Sequence, residues 1–305
     1  MMSFSRCFVL VFSVFSLKCF AADRPTEDLA GPPAVTAKSW IIADLESGQE
    51  VASLLANEPR KAASTTKIMC AYVVLELVQK DPAVLDEWVS ISKLADSTAG
   101  STADVKAGEK VQVRDGLYAL MLPSGNDMGN AFAEHFHSRL AAPGEETPKG
   151  VKAPAYASRA NFIAEMNRTA GRLGMTDSTY RIPFGDGGAE TDYTTTARDL
   201  VKLTLAARKH ALFREVVAAQ THRAQIRMPN KKEREAEWKN SNELLKLANY
   251  DGVKTGTTTS AGACLVATGS YEGRGFIVVT LGSASEEARF ADNRNLFRWV
   301  WGKRD

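Results

Sequence analysis

Ser64-Thr65-Thr66-Lys67-Ile68-Met69-Cys70-Ala71-Tyr72-Val73-Val74-Leu75 sets a serine and a lysine three residues apart at the head of an apolar run. Ile68, Ala71, Tyr72, Leu75 and Val78 recur at helical spacing, and Asp81-Pro82 stops the pattern. The stretch therefore predicts a helix that starts near Ser64. Residues three apart on a helix share a face, so Ser64 and Lys67 are expected within reach of each other. A serine hydroxyl is a poor nucleophile until a base takes its proton. A lysine is such a base only where burial or a second cation favours its neutral amine. The start of a helix adds a positive field and free backbone N–H groups, which suit a developing oxyanion. Taken alone, the pair reads better as an N-capping serine followed by a solvated lysine, since S-x-x-K arises by chance in many proteins.

Two further segments change that balance. Ser124-Gly125-Asn126 follows Pro123 in a tight turn between two helical patterns. Ser124 is suited to pass a proton to a leaving amine. The Asn126 amide has both a donor and an acceptor with which to orient Lys67 and a substrate. Lys254-Thr255-Gly256 reads as an exposed strand edge. Its glycine admits a substrate close to the backbone, and Lys254 with the Thr255 and Thr258 hydroxyls is suited to grip a carboxylate. Lys254 also supplies the second cation that a neutral Lys67 needs. The bland readings are a helix-capping Asn126 and a strand with a solvated lysine.

Outward from these segments, strands sit at both ends of the chain and helices fill the middle. Lys38–Asp44 and Glu50–Leu55 flank a turn at Glu46-Ser47-Gly48-Gln49 and predict a hairpin. Helical patterns follow at Arg114–Leu122, Asn126–Phe136, Ser158–Leu173 and Thr196–Ala207. Thr221–Met228 and Glu235–Asn240 alternate around Pro229-Asn230 as a second hairpin. Gly252–Thr257, Gly262–Ser270 and Gly275–Leu281 are short apolar runs, and Glu286–Trp301 is an amphipathic helix. The simplest packing is an α/β domain in which both sets of strands join one mainly antiparallel sheet, flanked by helices and carrying a helical insertion at about 95–210. Residues 141–157, rich in Pro, Gly, Ala and Lys, read as a surface insertion. The final helix is expected to pack on the sheet rather than lie on a membrane surface.

The N-terminus reads separately. Arg6 precedes an apolar run from Cys7 to Leu17, and Cys19-Phe20-Ala21 ends on a small residue, so 1–21 is expected to be a secretory signal peptide. Residues 22–36 read as a flexible leader and 37–305 as the catalytic domain. Loss of Arg6 and Lys18 takes 38 basic residues to 36, equal to the 36 acidic ones. Such a balance carries no global footprint for nucleic acid. Cys70 and Cys264, both in apolar runs, read as buried free thiols, and the four histidines have no metal-binding spacing. No cofactor is called for, and the compartment expected is periplasmic or extracellular.

S-x-x-K, S-x-N and K-T-G in this order resemble the combined signature of penicillin-binding proteins and serine β-lactamases. Ala63 to Glu76, Leu122-Pro123-Ser124-Gly125-Asn126-Asp127, Thr195 to Leu200, Asn240-Ser241-Asn242-Glu243-Leu244-Leu245 and Asp251 to Gly256 narrow it further. Together they resemble the low-molecular-mass D-alanyl-D-alanine carboxypeptidases over about residues 36 to 301. The resemblance implies the β-lactamase/transpeptidase-like fold, Ser64 as acylated nucleophile and Lys67 as its base. It implies Ser124 and Asn126 as a proton-relay pair, and Lys254, Thr255, Gly256 and Thr258 at the carboxylate of a D-Ala-D-Ala stem peptide. The backbone N–H groups of Ser64 and Thr257 would form the oxyanion hole. β-Lactam antibiotics would be covalent inhibitors.

Three positions depart from the family pattern and bear on substrate preference: Thr65, Thr257, and Arg181-Ile182-Pro183-Phe184-Gly185 in place of Asn-Pro-His-Gly. The chain ends about 50 residues after Lys254, so a C-terminal β-domain and membrane anchor are not expected. A D,D-endopeptidase would use the same site. A β-lactamase needs a deacylating glutamate in an E-x-x-x-N loop, and Glu165-Met166-Asn167 has the wrong spacing for one. A peptidoglycan-binding module without turnover would be favoured by a damaged motif, and none of the three is damaged.

Overall fold

The computed structural model describes residues 21–26, 30–144, 157–185 and 193–303. The expected signal peptide, but for Ala21, and most of the 141–157 insertion lie outside them. Five strands form one antiparallel sheet in the order β2-β1-β9-β8-β7: β1 Ser39–Asp44, β2 Glu50–Leu54, β7 Tyr250–Thr258, β8 Gly262–Tyr271 and β9 Arg274–Ser283. The period-two alternation of a strand assigns each side chain to a face. Ile41, Ala43, Val266, Ile277 and Val279 enter the core on the helical side, while Trp40, Ile42, Leu265, Ala267 and Val278 enter the core on the other. Burial on both faces explains why the last strands read as continuous apolar runs.

Helices α1 Lys67–Lys80, α2 Lys93–Asp96, α3 Val113–Met121, α4 Asn126–Phe136, α5 Ala160–Arg172, α6 Ala197–Arg208 and α7 Ala211–Ala218 lie between β2 and β7 in sequence. All of Lys67–Leu75 is buried, so the first half of α1 runs through the interior, and Ile68–Leu75 is apolar on every side. The terminal helix α8, Glu286–Gly302, packs on β8 and β9 through Leu296, Phe297, Val300 and Trp301. This is the packing expected for it. Asp23 from the expected leader is buried, accepting from Arg294 at 2.6 and 2.8 Å and from the Tyr250 hydroxyl at 2.8 Å. Among the described residues no helix is long and apolar enough to cross a membrane.

One expectation is corrected. The second hairpin does not join the main sheet. β5 Thr221–Arg227 and β6 Glu233–Lys239 form a separate sheet with β3 Trp88–Ser90 and β4 Lys110–Gln112, in the order β3-β4-β5-β6. The hairpin buries only a narrow stripe (Ala224, Ile226, Trp238), with His222, Arg234 and Ala236 half-buried and the other positions exposed, which suits a small sheet covered on one face rather than a central layer. β3 and β4, three residues each, are too short for a periodicity signal, and α7 was not anticipated.

Candidate active site

The Ser64–Lys67 spacing closes as expected, through a tighter turn than an α-helix. Ala63–Thr66 is a 3-10 turn that runs into α1. Ala63 holds φ +48, and Thr65 donates to Ala62 O from both its N–H and its hydroxyl. A left-handed residue costs about 1–3 kcal/mol and persists only where its surroundings over-determine it. Here it aims Ser64 at Lys67.

Lys67 is fully buried. Its Nζ lies 2.6 Å from Asn126 Oδ1, 3.1 Å from Phe184 O and 2.9 Å from Ser64 Oγ. The first two oxygens can only accept, so each takes an N–H. The third tetrahedral position faces Ser64, where an ammonium presents a proton and a neutral amine presents its lone pair. The same heavy-atom geometry thus serves both protonation states. That is what a base needs.

Asn126 does not cap α4 but opens it. Its backbone N–H donates to Ser101 O and its Nδ2 to Ala99 O, both at 2.8 Å, which leaves Oδ1 for Lys67. Asp127 locks the same loop, accepting from Ala103 N and the Thr102 hydroxyl. Ser124, between α3 and α4, holds φ +65. Its Oγ is buried with no hydrogen-bond partner among the described residues. A buried unsatisfied hydroxyl costs about 1–3 kcal/mol and calls for an explanation.

β7 is the edge strand of the main sheet, and the sequence reading of Lys254 as exposed is corrected. Lys254 is 1% exposed, because the helical layer covers this edge. Its Nζ donates to Thr255 O at 3.0 Å. Burial, then the charges of Lys67 and Arg289, push its ammonium well below the ordinary 10.5. Gly256 lies against the Ala63–Thr66 turn: a Cβ there would meet Ser64 N at 2.7 Å. Thr255 Oγ1 lies 2.7 Å from Ser241 Oγ. Thr258 is not brought into this cluster; its hydroxyl accepts from Ala261 N and shapes the β7–β8 turn.

Two participants escaped the sequence reading. Arg289 of α8 is buried and donates to Thr257 Oγ1 at 2.7 Å and Gly256 O at 3.4 Å. Nothing in its local sequence distinguishes it from a surface cation on an amphipathic helix. Phe184 contributes a backbone carbonyl, which carries no side-chain signal. Gly185 beside it, at φ +82, leaves no room for a Cβ, which would fall 2.0 Å from Ala63 O.

Lys67 is bonded to Ser64, and Lys254 is close enough to feel the charges of both Lys67 and Arg289. The arrangement fits acyl transfer on a substrate that carries an anion. Glu165 is committed to Arg168 and Arg172 at 2.8 Å each. Cys70 and Cys264 are free, buried thiols, and burial pushes Cys264 up to about 11.

The profile of a family described as D-alanyl-D-alanine carboxypeptidase matches residues 26–140 and 153–285. The D-alanyl-D-alanine carboxypeptidase DacC of Escherichia coli is 30% identical over 94% of this chain, which spans 65% of DacC's own length. A D-alanyl-D-alanine carboxypeptidase of a Streptomyces strain is 32% identical over 88% of both chains. The crystal structure of a Streptomyces DD-transpeptidase superposes with a TM-score of 0.78 at 30% identity, covering 90% of this chain and all of the other. A D-alanyl-D-alanine endopeptidase of Escherichia coli is 26% identical over 89% of this chain and 79% of its own.

Proposed function

From the premise that this chain belongs to the D-alanyl-D-alanine carboxypeptidase family, we propose that it is a serine-type D-alanyl-D-alanine carboxypeptidase acting on peptidoglycan stem peptides outside the cytoplasmic membrane, after removal of an N-terminal signal peptide. The observation that carries the reading is the Lys67 Nζ, fixed by two obligate acceptors so that its remaining position faces Ser64 Oγ at 2.9 Å.

In this reading Ser64 Oγ attacks the carbonyl of the penultimate D-alanine while the Lys67 amine takes its proton. The oxyanion lies between the backbone N–H groups of Ser64 and Thr257, on either side of Gly256. Ser124, whose hydroxyl has no other partner among the described residues, relays the proton to the departing amine. Water then hydrolyses the acyl-enzyme. Lys254, the Thr255 hydroxyl and Arg289 receive the terminal carboxylate. Its negative charge offsets the burial and the like charges that depress Lys254, and so favours a charged Lys254. β-Lactams, as mimics of the dipeptide, acylate Ser64.

A fluorescent penicillin should label the protein covalently, and Ser64→Ala should abolish labelling together with D-alanine release from a pentapeptide. Label retained in Ser64→Ala would overturn the nucleophile. Rapid penicillin turnover without a lasting adduct would point to a β-lactamase instead.

A further inference from the structure

The Arg181–Gly185 segment reaches the reactive pair through its backbone. Phe184 O accepts from Lys67 Nζ at 3.1 Å, and the Phe184 ring lies 5.9 Å from the same nitrogen. A carbonyl in that place fixes one N–H of Lys67. It also stabilises the ammonium more than the neutral amine, because a hydrogen bond from a charged donor is the stronger one. The position of this oxygen therefore sets both the aim of the amine and its basicity.

A loop carbonyl keeps its direction only if the peptides around it are held. Upstream, the Tyr180 backbone exchanges hydrogen bonds with the Asn167 side chain at 2.8 and 2.9 Å. Downstream, Gly185 is confined from two sides. The Ala63–Thr66 turn lies against its Cα, where a Cβ would fall 2.5 Å from Thr66 Oγ1. Its carbonyl accepts from the buried Tyr193 hydroxyl. Tyr193 is in turn followed by anchored residues: Thr194 O accepts from Thr179 N at 2.9 Å, and Thr195 exchanges backbone hydrogen bonds with Arg60 at 2.8 and 2.9 Å. The hydroxyl thus ties Gly185 to a segment that also holds the chain leading into the Ser64 turn.

We propose, resting on the reading of Lys67 as the base for Ser64, that Tyr193 is a positioning residue whose hydroxyl holds Gly185 O and so keeps the Phe184 carbonyl on Lys67 Nζ. Without that donor the Gly185 carbonyl is left buried and unsatisfied, and its peptide turns to find another. The Phe184 oxygen then leaves the amine. Lys67 loses an acceptor for its ammonium and becomes a weaker, less well aimed base. Lys254 of β7 and Cys70 of α1 also face Lys67, and neither is altered by the change at Tyr193.

Tyr193→Phe keeps the buried ring and removes only the hydroxyl. Acylation by a fluorescent penicillin, followed to saturation across a range of pH, separates the limiting rate from the noncovalent Kd. The plateau of the limiting rate should fall about tenfold or more, with Kd within about twofold of wild type. The midpoint of its acidic limb, which reports Lys67 losing a proton, should move down by about half a pH unit or more. Tyr193→p-aminophenylalanine, which restores a donor at the end of the ring, should recover most of the rate and of the midpoint. Thr196→Ala, which loosens the same connection without touching Gly185, should match wild type on both. An unchanged plateau and midpoint in Tyr193→Phe, a loss confined to Kd, no recovery with p-aminophenylalanine, the same shift in Thr196→Ala, or a Tyr193→Phe protein without a cooperative melt would each overturn the assignment and leave the carboxypeptidase reading standing. Wild-type protein that penicillin does not label would overturn that reading, and the role of Tyr193 with it.

Discussion

Gly256→Ala isolates the contact between β7 and the turn that carries Ser64, the proposed nucleophile. An added Cβ would lie 2.7 Å from Ser64 N, 3.0 Å from Ala62 O and 3.1 Å from Ala63 Cβ. Two of these neighbours are backbone atoms and the third is fixed to one, so no side-chain rotation relieves them. Restoring ordinary contact at 3.4 Å requires the strand and the turn to part by about 0.7 Å. Oxyanion donors act at about 2.7–3.1 Å, and a shift of that size carries one beyond hydrogen-bond range. Loss of one donor lowers the rate by about 10²–10³, or ~2.7–4 kcal/mol. The overpacking itself costs about 1–3 kcal/mol of stability. At roughly 2–4 °C per kcal/mol for large domains, Tm falls by several degrees but the protein stays folded at 25 °C. The assay is the second-order rate constant for acylation by a fluorescent penicillin, with a thermal melt alongside. Acylation within about threefold of wild type would refute the placement of the Ser64 N–H beside Gly256 as a catalytic donor.

Lys254→Met should remove carboxylate recognition, and its effect on stability depends on pH. The folded-state pKa of Lys254 lies below 10.5, so between the two values the unfolded chain holds more protons at this group. The native lysine therefore destabilises increasingly as pH falls from 10.5 towards its folded pKa. Urea denaturation should find Lys254→Met gaining on wild type at pH 7 relative to pH 10.5; a gain that grows with rising pH would contradict the burial argument. Thr196 caps α6 by accepting from Asp199 N at 3.0 Å, so Thr196→Ala should cost about 1 kcal/mol and lower Tm by a few degrees. Penicillin acylation should be unchanged in that variant, and a parallel loss of acylation would show that the cap reaches the catalytic turn.

The parts of the site legible in sequence were those made by neighbours in the chain. Ser64 and Lys67 meet because residues three apart meet in any helical turn, whether α or 3-10. Ser124 and Asn126 share a turn whose Pro and Gly announce it. Lys254 was identified but placed wrongly at the surface, since an edge strand normally faces water and only the helical layer above β7 excludes it. The hairpin of β5 and β6 was read correctly as a hairpin and assigned to the wrong sheet. Alternation reports which face is apolar, not which strand lies alongside.

By itself, the amino-acid sequence determined the inventory of reactive groups, their order, the antiparallel α/β class and the hairpins and helices that carry them. These follow from local periodicity and turn chemistry, which act over a few residues. Only the tertiary structure decided that Arg289 stands at Thr257, that the Phe184 carbonyl holds Lys67, and that Lys254 is buried beside two other cations. Each of these depends on contacts between segments distant in sequence, formed as the helices pack on the two faces of one sheet. Burial and electrostatic coupling are properties of that packing and leave no mark on the local pattern.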